Sequence, residues 1–377
     1  MNIGISASFM RSEASFRNAG ISRVARQLVD ALVRSAEPDE RYHLFLHEGY
    51  AGSEGWDRLP QVTLHPIVPE QREKRALWEA LRAPRVARSL GIDVWFSTTH
   101  MLPLGRSLPR VPFVHDLIAV KYPELFGWKQ ALYLKWALKY ACTRSSRVLT
   151  NSEATRADIV ATYGTSPDRI VVSGLGPGNV VARVDPASVS DQDLHALGLP
   201  WERFLLAIGT LEPRKNLDRL IEAMPLLADP GLGLAIAGGR GWKESVIFTQ
   251  VQRLGIADRI VFLGYVEDAD LARLLARTEA FVFPSLYEGF GMPILEAMLA
   301  GAPVLASARP AMEEVGGAAA RYFDPTSPSS IAAAIGEVTS DPGLVQSMQE
   351  AGPVRAERFT WERAAKITRA TLRATAR

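Results

Sequence analysis

The chain has 377 residues, and its 43 Lys and Arg against 41 Asp and Glu give a net charge of +2. This length exceeds the size at which one hydrophobic core usually keeps growing, so it favours two domains. Apolar residues make up 47% of the chain and charged residues 22%, which excludes a largely disordered protein. The single cysteine, Cys142, excludes a disulfide framework and a multi-thiolate metal site, and it favours a reducing compartment.

The beginning of the chain has neither the basic start nor the apolar stretch of a signal peptide. No run approaches the roughly 20 apolar residues of a membrane span. We therefore expect a cytoplasmic protein, and we expect no nucleic-acid partner.

The first half of the chain alternates short apolar strands with helical stretches. Residues 2–7 are predicted to form a strand, a glycine-containing turn follows, and residues 21–33 are predicted to form a helix. Further strands are predicted at residues 42–46, 94–97, 112–115, 147–150 and 170–172. This alternation indicates a parallel sheet with helices on both faces.

The first half is also the basic half. Residues 1–190 carry 24 Lys and Arg against 18 Asp and Glu, whereas residues 191–377 carry 19 against 23. Two stretches mix cations with large apolar residues: Arg72, Lys74, Arg75, Arg82, Arg85 and Arg88 around Leu77, Trp78, Leu81 and Val86, and Lys129, Lys135 and Lys139 among Trp128, Tyr133 and Trp136. Such mixtures suit an anionic membrane surface or a phosphate-bearing acceptor. The alternative is a solvated helix face, because neither stretch has a clean apolar stripe.

Residues 177–200 are polar and irregular, and a second series of strands begins after them. These strands are predicted at residues 204–208, 234–237, 260–262, 280–283, 303–306 and 321–323. The prediction is an α/β protein with two doubly wound, Rossmann-like domains, residues 1–185 and 186–355, that face a cleft, followed by a last segment at 356–377. Ligands of such sheets bind beyond the carboxyl ends of the strands.

A candidate anion site directly follows the predicted strand 204–208. The segment Gly209-Thr-Leu-Glu-Pro-Arg-Lys-Asn216 leads into a predicted helix, for which Asn216 is a plausible N-cap. Arg214 offers a planar fork of donors and Lys215 a compact charge, and the helix amino end adds partial positive charge, so a diphosphate would be neutralised here. A surface loop with two ordinary cations is the alternative.

A second candidate site follows the predicted strand 280–283. Glu288-Gly-Phe-Gly-Met-Pro-Ile-Leu-Glu296 leads into a helix, with Pro293 suited to its first turn. Gly289 and Gly291 let backbone amides approach a sugar or phosphate closely. Two carboxylates so placed can accept hydrogen bonds from different hydroxyls of one ligand. A capping carboxylate with a solvated one is the alternative.

These two segments resemble family four of the retaining glycosyltransferases, which have the GT-B fold. The resemblance covers nearly the whole chain. It extends to Asn18-Ala-Gly-Ile-Ser-Arg23, His115-Asp116, Asn151-Ser-Glu153, Phe262-Leu-Gly-Tyr265 and Phe359-Thr-Trp-Glu362. Within the family, the first segment and His115-Asp-Leu-Ile are similar to bacterial mannosyltransferases of O-antigen and related polysaccharides.

The resemblance implies a role for each matching residue. Arg214 and Lys215 would hold the donor diphosphate and support the leaving nucleotide, which is electrostatic catalysis. Glu288 would bind hydroxyls of the donor sugar and Glu296 those of the ribose. His115 would touch the donor sugar near its reacting carbon. The other implied donor contacts are the loop at Gly20, Tyr265 and Val266 near the base, and the amides of Gly289, Phe290, Gly291, Met292 and Leu295.

Each of two residues also has a purely structural alternative. His115 is alternatively a structural histidine at a strand end, and Gly20 an ordinary turn glycine before the first long helix. The resemblance further implies that the last helix, around residues 361–372, crosses back onto the N-terminal domain, which would permit hinge closure.

The expected activity is retaining transfer of a hexose from a nucleotide sugar to a hydroxyl of a glycan or lipid-linked glycan, with a peripheral inner-membrane contact left open. The donor is expected to be GDP-mannose or a GDP-deoxymannose, and no metal or other cofactor is required. Asp268-Ala-Asp270 is interpreted as helix capping rather than a metal site. The alternatives are a UDP-sugar donor, a non-hydrolysing epimerase of similar layout, and a glycan-binding scaffold without turnover.

Overall fold

The structure is a computed structural model that describes residues 1–10, 19–50, 52, 54–105, 108–178, 183–239, 241 and 244–376. The chain divides into two compact units. Unit 1 comprises Met1–Gly176 and Phe359–Arg377, and unit 2 comprises Pro177–Arg358. The first division therefore falls earlier than the predicted boundary at 185, and the second falls slightly later than the predicted boundary at 355.

Unit 1 is built on a seven-stranded parallel sheet in the order β3-β2-β1-β4-β5-β6-β7. Its strands are β1 (Asn2–Ser6), β2 (Arg41–His47), β3 (Val62–Val68), β4 (Val94–Ser97), β5 (Arg110–Val114), β6 (Val148–Thr150) and β7 (Ile170–Val172). Its helices are α1 (Ala19–Arg34), α2 (Arg72–Leu77), α3 (Ala83–Ser89), α4 (Ile118–Lys121), α5 (Trp128–Arg144) and α6 (Glu153–Tyr163), with α15 (Trp361–Arg373) from the end of the chain. A π-helical segment, Trp78–Arg82, joins α2 to α3.

The chain end is held in unit 1 by charge and by packing. Helix α15 packs on α1, and the Nη2 atom of Arg369 donates to the carbonyl oxygen of Leu32 at 3.2 Å. The buried carboxylate of Glu40 lies 2.8 Å from Nε of Arg373 and 3.3 Å from Nε of Arg369. A buried carboxylate is stable when it is paired in this way. Glu40 therefore anchors the terminal helix to the N-terminal sheet.

Unit 2 has a six-stranded parallel sheet in the order β10-β9-β8-β11-β12-β13. Its strands are β8 (Phe204–Ile208), β9 (Gly233–Ala237), β10 (Ile260–Gly264), β11 (Ala280–Phe283), β12 (Val304–Ser307) and β13 (Ala320–Phe323). Its helices are α7 (Asp191–Ala196), α8 (Leu217–Ala223), α9 (Glu244–Leu254), α10 (Asp268–Arg277), α11 (Met292–Ala300), α12 (Pro310–Gly316), α13 (Pro328–Ser340) and α14 (Pro342–Ala356). The predicted doubly wound α/β architecture is confirmed for each unit.

Two local predictions were wrong. Strand β3 was missed, because its sequence contains His65 and Pro66 and its residues are mostly half-exposed; an edge strand tolerates both features. Asp268 and Asp270 do not cap α10, since Glu267 occupies the N-cap position and its side chain makes no capping bond. Both aspartates lie in the first turn, where a negative charge interacts favourably with the positive end of the helix dipole. Asp270 also forms an ion pair with Arg273 at 2.9 Å.

Among the helices in the described part of the chain, none combines the length and the apolar character that a membrane crossing requires.

Candidate active site

Most of the candidate residues of unit 2 lie where the strand order of the sheet reverses, between β8 and β11. Strands β8 and β11 are neighbours, whereas β8 leads along the chain toward β9 on its other side. The loops after β8 and β11 therefore leave the carboxyl edge side by side, at the position where doubly wound sheets bind ligands. The amide of Leu286 donates to the carbonyl of Arg214 at 2.9 Å and joins the two loops.

Three predicted side chains meet there in one ion cluster. The Oε1 atom of Glu288 lies 2.6 Å from Nη1 of Arg214 and 2.7 Å from Nζ of Lys215. The Nη2 atom of Arg214 also lies 2.7 Å from Oε1 of Glu212. The side chains of Arg214, Lys215 and Glu288 are only 13–15% exposed. The cations are therefore fixed in position and balanced by two carboxylates.

The pKa values in this cluster follow from burial and from the neighbouring charges. Burial would raise the pKa of Glu288, but the charges of Arg214 and Lys215 outweigh it and lower the pKa to about 2. Burial lowers the pKa of Lys215 below its ordinary value, and the charge of Glu288 offsets part of this effect. Glu288 is thus ionised at neutral pH. The predicted alternative of a solvated carboxylate does not fit, since Glu288 and Glu296 are both largely buried.

Asn216 holds the site together in a way that the sequence did not predict. It occupies the N-cap position of α8, but its side chain makes no capping bond. Its Nδ2 atom donates instead to the carbonyl oxygens of Pro284 at 3.0 Å and Pro325 at 2.8 Å. The residue is fully buried and has a φ of 57°, a left-handed conformation that asparagine tolerates better than most residues. It therefore ties the loops after β8, β11 and β13 to one another.

The segment 288–296 enters helix α11 as predicted. Gly291 is the N-cap residue with a φ of 105°, a conformation that requires glycine, and Pro293 lies in the first turn. Phe290 and Leu295 are buried, so any ligand contact they make is through the main chain. Met292 begins α11, and Glu296 lies within it with its side chain buried. Gly289 is buried beside Glu288.

Tyr265 and Val266 follow β10, at the same carboxyl edge but two strands away from β8. Tyr265 is exposed and Val266 is half-buried. Gly264 precedes them with a φ of 69°, and its carbonyl accepts from the amide of Gly238 at 2.7 Å. The pair is therefore placed by a fixed turn, and its predicted contact with the base stays a prediction.

His115 lies in unit 1, directly after β5. Its Nε2 atom is 2.9 Å from the carbonyl oxygen of Thr98, so Nε2 carries a proton and donates. Burial lowers the pKa of His115, and the Thr98 carbonyl and the charge of Asp116 offset part of this effect. Its own carbonyl accepts from Nδ2 of Asn151 at 2.9 Å. The ring is thus held as a neutral imidazole of one tautomer at the carboxyl edge.

Gly20 corrects a predicted boundary. It does not precede the first long helix but lies inside α1, which begins at Ala19. A Cβ atom added to Gly20 would meet no atom within 4 Å, so the residue faces open space. Asn18, which belongs to the same motif, lies outside the described residues.

Glu79 is absent from the predicted site residues, yet it lies at the corresponding switch point of unit 1. It sits in the π-helical segment, is 1% exposed, and accepts a hydrogen bond from the hydroxyl of Ser6, the last residue of β1. The neighbouring β4 ends at Ser97, the register partner of Ser6. Burial raises the pKa of Glu79 to about 7, although Ser6 and the charge of Arg75 act against it. A π-helical distortion often marks a functional position.

This raised pKa predicts a stability that depends on pH. Because the fold favours protonated Glu79, its stabilisation is fully present below the ordinary pKa of 4.5 and is lost as the pH rises through about 7. We expect wild type to lose up to about 3 kcal/mol between pH 5 and pH 8 relative to Glu79→Gln. Urea unfolding of the full chain at both pH values measures the difference. Glu73→Gln, at an exposed position nearby, is the matched control. If the free energy of unfolding changed equally with pH in wild type and Glu79→Gln, the raised pKa of Glu79 would be contradicted.

The sequence comparisons decide the family. Residues 19–176 match the family described as Glycosyltransferase Family 4, and residues 196–355 match Glycosyl transferases group 1. O-antigen chain mannosyltransferase B of Escherichia coli is 34% identical over 361 residues, which are 91% of this chain and 93% of that relative. This chain is a family 4 glycosyltransferase. A further relative of this glycosyltransferase, O-antigen chain mannosyltransferase RfbU of Salmonella typhimurium, is 30% identical over 249 residues, 66% of this chain and 65% of that relative.

Solved structures agree on the fold of the glycosyltransferase. Sucrose-phosphate synthase from Thermosynechococcus elongatus is 19% identical, with a TM-score of 0.73 and coverage of 99% of this chain and 98% of that one. Anabaena HepE in complex with UDP and glucose is also 19% identical, with a TM-score of 0.71 and coverage of 99% and 100%. At such identity the likeness establishes the fold alone. The predicted GT-B fold is confirmed.

Proposed function

We propose that this glycosyltransferase moves mannose or a deoxymannose from a GDP-sugar to a hydroxyl of a glycan or lipid-linked glycan, with retention at the anomeric carbon. The choice of sugar is supported by the two O-antigen mannosyltransferase relatives, which together match most of the chain. Retention is supported by the family. The cytoplasmic location and the use of the product in a bacterial polysaccharide belong to the same proposal.

The observation that carries the proposal is the ion cluster of Arg214, Lys215 and Glu288 at the carboxyl edge of β8 and β11. An ammonium group has three N–H donors, and Nζ of Lys215 donates to Oε1 of Glu288, so this group keeps donor capacity for a diphosphate. The guanidinium of Arg214 adds a second fixed positive charge beside it. Fixed donors of this kind stabilise negative charge as it develops on a leaving group. The same cations make a divalent metal unnecessary in the proposed reaction.

Glu288 suits hydroxyl binding better than proton removal. A carboxylate whose pKa is about 2 is a weak base at neutral pH. It is nevertheless a strong hydrogen-bond acceptor, and its second oxygen can accept from a sugar hydroxyl. The proposal therefore assigns Glu288 to orienting the donor sugar.

A donor panel tests the proposal. The protein is incubated with GDP-mannose, UDP-glucose and ADP-glucose, and release of the nucleoside diphosphate is measured with and without a lipid-linked glycan acceptor. We expect turnover with the GDP-sugar, and we expect GDP-mannose to raise the thermal unfolding temperature, because a ligand that binds only the folded state stabilises it. Turnover with UDP-glucose alone would show that the donor is a UDP-sugar instead of a GDP-sugar. HepE, whose structure contains UDP and glucose, is the reason for including this donor.

Two further readouts test the mechanism of transfer. Chelation with EDTA is expected to leave the rate unchanged, and NMR of the product is expected to show the anomeric configuration of the donor. A strict requirement for magnesium or manganese would refute the proposed role of the two cations, and an inverted product would refute retention.

A further inference from the structure

Helix α5 exposes a row of large apolar side chains. Trp128 is 74% exposed, Leu132 65% and Trp136 52%. They are spaced four residues apart, so they lie along one face of the helix. Single exposed apolar residues are ordinary on a protein surface, but three such residues in a row on one helix are not.

Cations accompany this row. Lys135 and Lys139 are exposed and, at 100° per residue, fall with the three apolar residues within about 100° of the helix circumference. We call these five residues, Trp128, Leu132, Lys135, Trp136 and Lys139, the α5 face. Helix α5 has four basic residues and no Asp or Glu. The face therefore combines apolar area with positive charge alone.

The α5 face differs from the other basic stretch of unit 1, residues 72–88, in the burial of its tryptophans. There, Trp78 is 4% exposed and packs in the core with Val86, and the acidic Glu73 and Glu79 lie among the cations. On α5, in contrast, the buried residues are small ones and one leucine, namely Ala131, Ala137, Leu138, Ala141 and Cys142, and the half-buried Leu134 packs against the same core. The tryptophans of α5 therefore do not contribute to the hydrophobic core.

A cavity of about 550 Å³ adjoins the far end of the α5 face. Trp136, Lys139, Tyr140, Arg144 and Arg110 line it, and none of its described lining residues is acidic. Trp136 and Tyr140 stack with ring centroids 5.6 Å apart. A second cavity, of about 430 Å³, shares Arg110 and Arg144 with the first. We call the first the α5 cavity.

The polar groups around the α5 cavity are arranged to donate. The hydroxyl of Tyr140 accepts from Nη1 of Arg110 at 2.7 Å and from the amide of Gly105 at 3.2 Å, so neither bond uses its own hydrogen. In the second cavity, the buried hydroxyl of Ser145 has no hydrogen-bond partner in the described part of the chain. Donors and cations without nearby acids suit an anion such as a phosphate group.

The α5 cavity is distinct from the candidate active site. Arg110 begins β5, whereas His115 follows its end, so the cavity and the histidine lie at opposite edges of the unit 1 sheet. The donor-binding role assigned to the unit 2 loops does not involve any of the cavity residues.

We propose that the α5 face and the α5 cavity together form a docking surface for a membrane of anionic phospholipid. Trp128, Leu132 and Trp136 enter the interfacial layer, and the phosphate of one lipid headgroup binds in the cavity at Lys139 and Arg144. Tryptophan prefers this depth of a bilayer, and basic side chains are attracted to anionic headgroups. The supply of a lipid-linked acceptor at this surface rests on the proposed function, whereas the membrane contact itself does not.

Vesicle sedimentation of the full chain tests the docking surface. We expect binding to vesicles that contain phosphatidylglycerol and much weaker binding to vesicles of phosphatidylcholine alone, with binding reduced by added salt. Lys139→Gln with Arg144→Gln is expected to weaken binding roughly 30-fold, since each basic group near an anionic surface contributes about a factor of five. Trp128→Ala with Leu132→Ala is expected to weaken it about tenfold or more.

A matched variant in unit 2, Leu226→Ala with Arg253→Gln, removes a leucine of similar exposure and an exposed arginine and is expected to bind as wild type does. Equal vesicle binding by all variants, or no binding by wild type, would overturn the docking surface. The docking surface would also be overturned if inorganic phosphate bound in the cavity but Lys139→Gln with Arg144→Gln left vesicle binding unchanged.

Nucleotide release with a water-soluble acceptor separates this proposal from the proposed function. Variants of the α5 face are expected to keep that rate unchanged while losing activity on an acceptor embedded in vesicles. If wild type released no nucleotide with the water-soluble acceptor, the proposed glycosyl transfer would be refuted, but the vesicle-binding result would still hold.

Discussion

Replacing Lys215 with Ala is expected to lower kcat/KM for the sugar donor about 100- to 1,000-fold, the range typical of removing one donor to a developing negative charge. The ammonium group is held 2.7 Å from Glu288 and largely out of water, so solvent does not replace it in the variant. Arg214→Ala is expected to act similarly. The loss falls mainly on kcat, because the charge on the leaving diphosphate is greatest as the glycosidic bond breaks.

Steady-state kinetics with the GDP-sugar measure this effect, and thermal unfolding shows whether each variant is folded. Lys215→Arg retains the charge with a different donor geometry and is expected to recover only part of the rate. Arg253→Ala, an exposed position of unit 2, is the control and is expected to keep the wild-type rate. If folded Lys215→Ala and Arg214→Ala both turned over at nearly the wild-type rate, the site assignment would be wrong.

Replacing Glu288 with Ala is expected to destabilise the protein by about 3 kcal/mol. The substitution removes the carboxylate that both Arg214 and Lys215 contact and leaves two neighbouring, largely buried cations with less compensation. Removing one partner of a buried ion pair costs about 3–5 kcal/mol, and the lower end applies because these side chains are 13–15% exposed. Glu288→Gln keeps an oxygen acceptor and is expected to cost less.

The pH dependence of this loss has a definite sign. Because the pKa of Glu288 is lowered to about 2, its stabilisation is fully present above the ordinary value of 4.5 and is lost as the pH falls toward 2. Urea unfolding of wild type and Glu288→Gln should therefore differ at pH 7 and converge in acid. Glu350→Ala, at an exposed glutamate of α14, serves as the control. A Glu288→Ala protein as stable as wild type would show that the cluster does not stabilise unit 2.

This expected instability determines how the role of Glu288 in transfer is best measured. In Glu288→Ala, a lost rate would mix misfolding with lost hydroxyl binding. Glu288→Gln retains the shape and a hydrogen-bond acceptor, so a fall in its rate at preserved folding reports the carboxylate charge.

Much of the site could be located from the sequence because its signals are local. An apolar strand, a loop with Arg214 and Lys215, and a following helix form one continuous segment, and the same holds for Glu288 after β11. Parallel α/β sheets place such loops at one edge, so the edge follows from the pattern. The glycine at 291 is likewise a local signal, because a left-handed φ before a helix excludes most other residues.

Asn216 and Glu79 show where local signals fail. Asparagine before a helix usually indicates capping, but the side chain of Asn216 donates to Pro325, 109 residues away. Glu79 lies in a stretch with many cations and is expected at the surface from its sequence, yet it is buried and accepts a hydrogen bond from Ser6, 73 residues away. Both outcomes depend on contacts between distant segments, which the residue pattern does not encode.

By itself, the sequence determined that the protein has two doubly wound α/β units, that it resembles family 4 glycosyltransferases, and which loops carry the candidate residues, since strand and helix periodicity and loop composition are properties of neighbouring residues. Only the tertiary structure decided that Arg214, Lys215 and Glu288 form one buried ion cluster, and that the tryptophans of α5 face solvent while Trp78 enters the core. Burial and charge pairing are set by which segments the fold brings together, and the free energies of both depend on that surrounding.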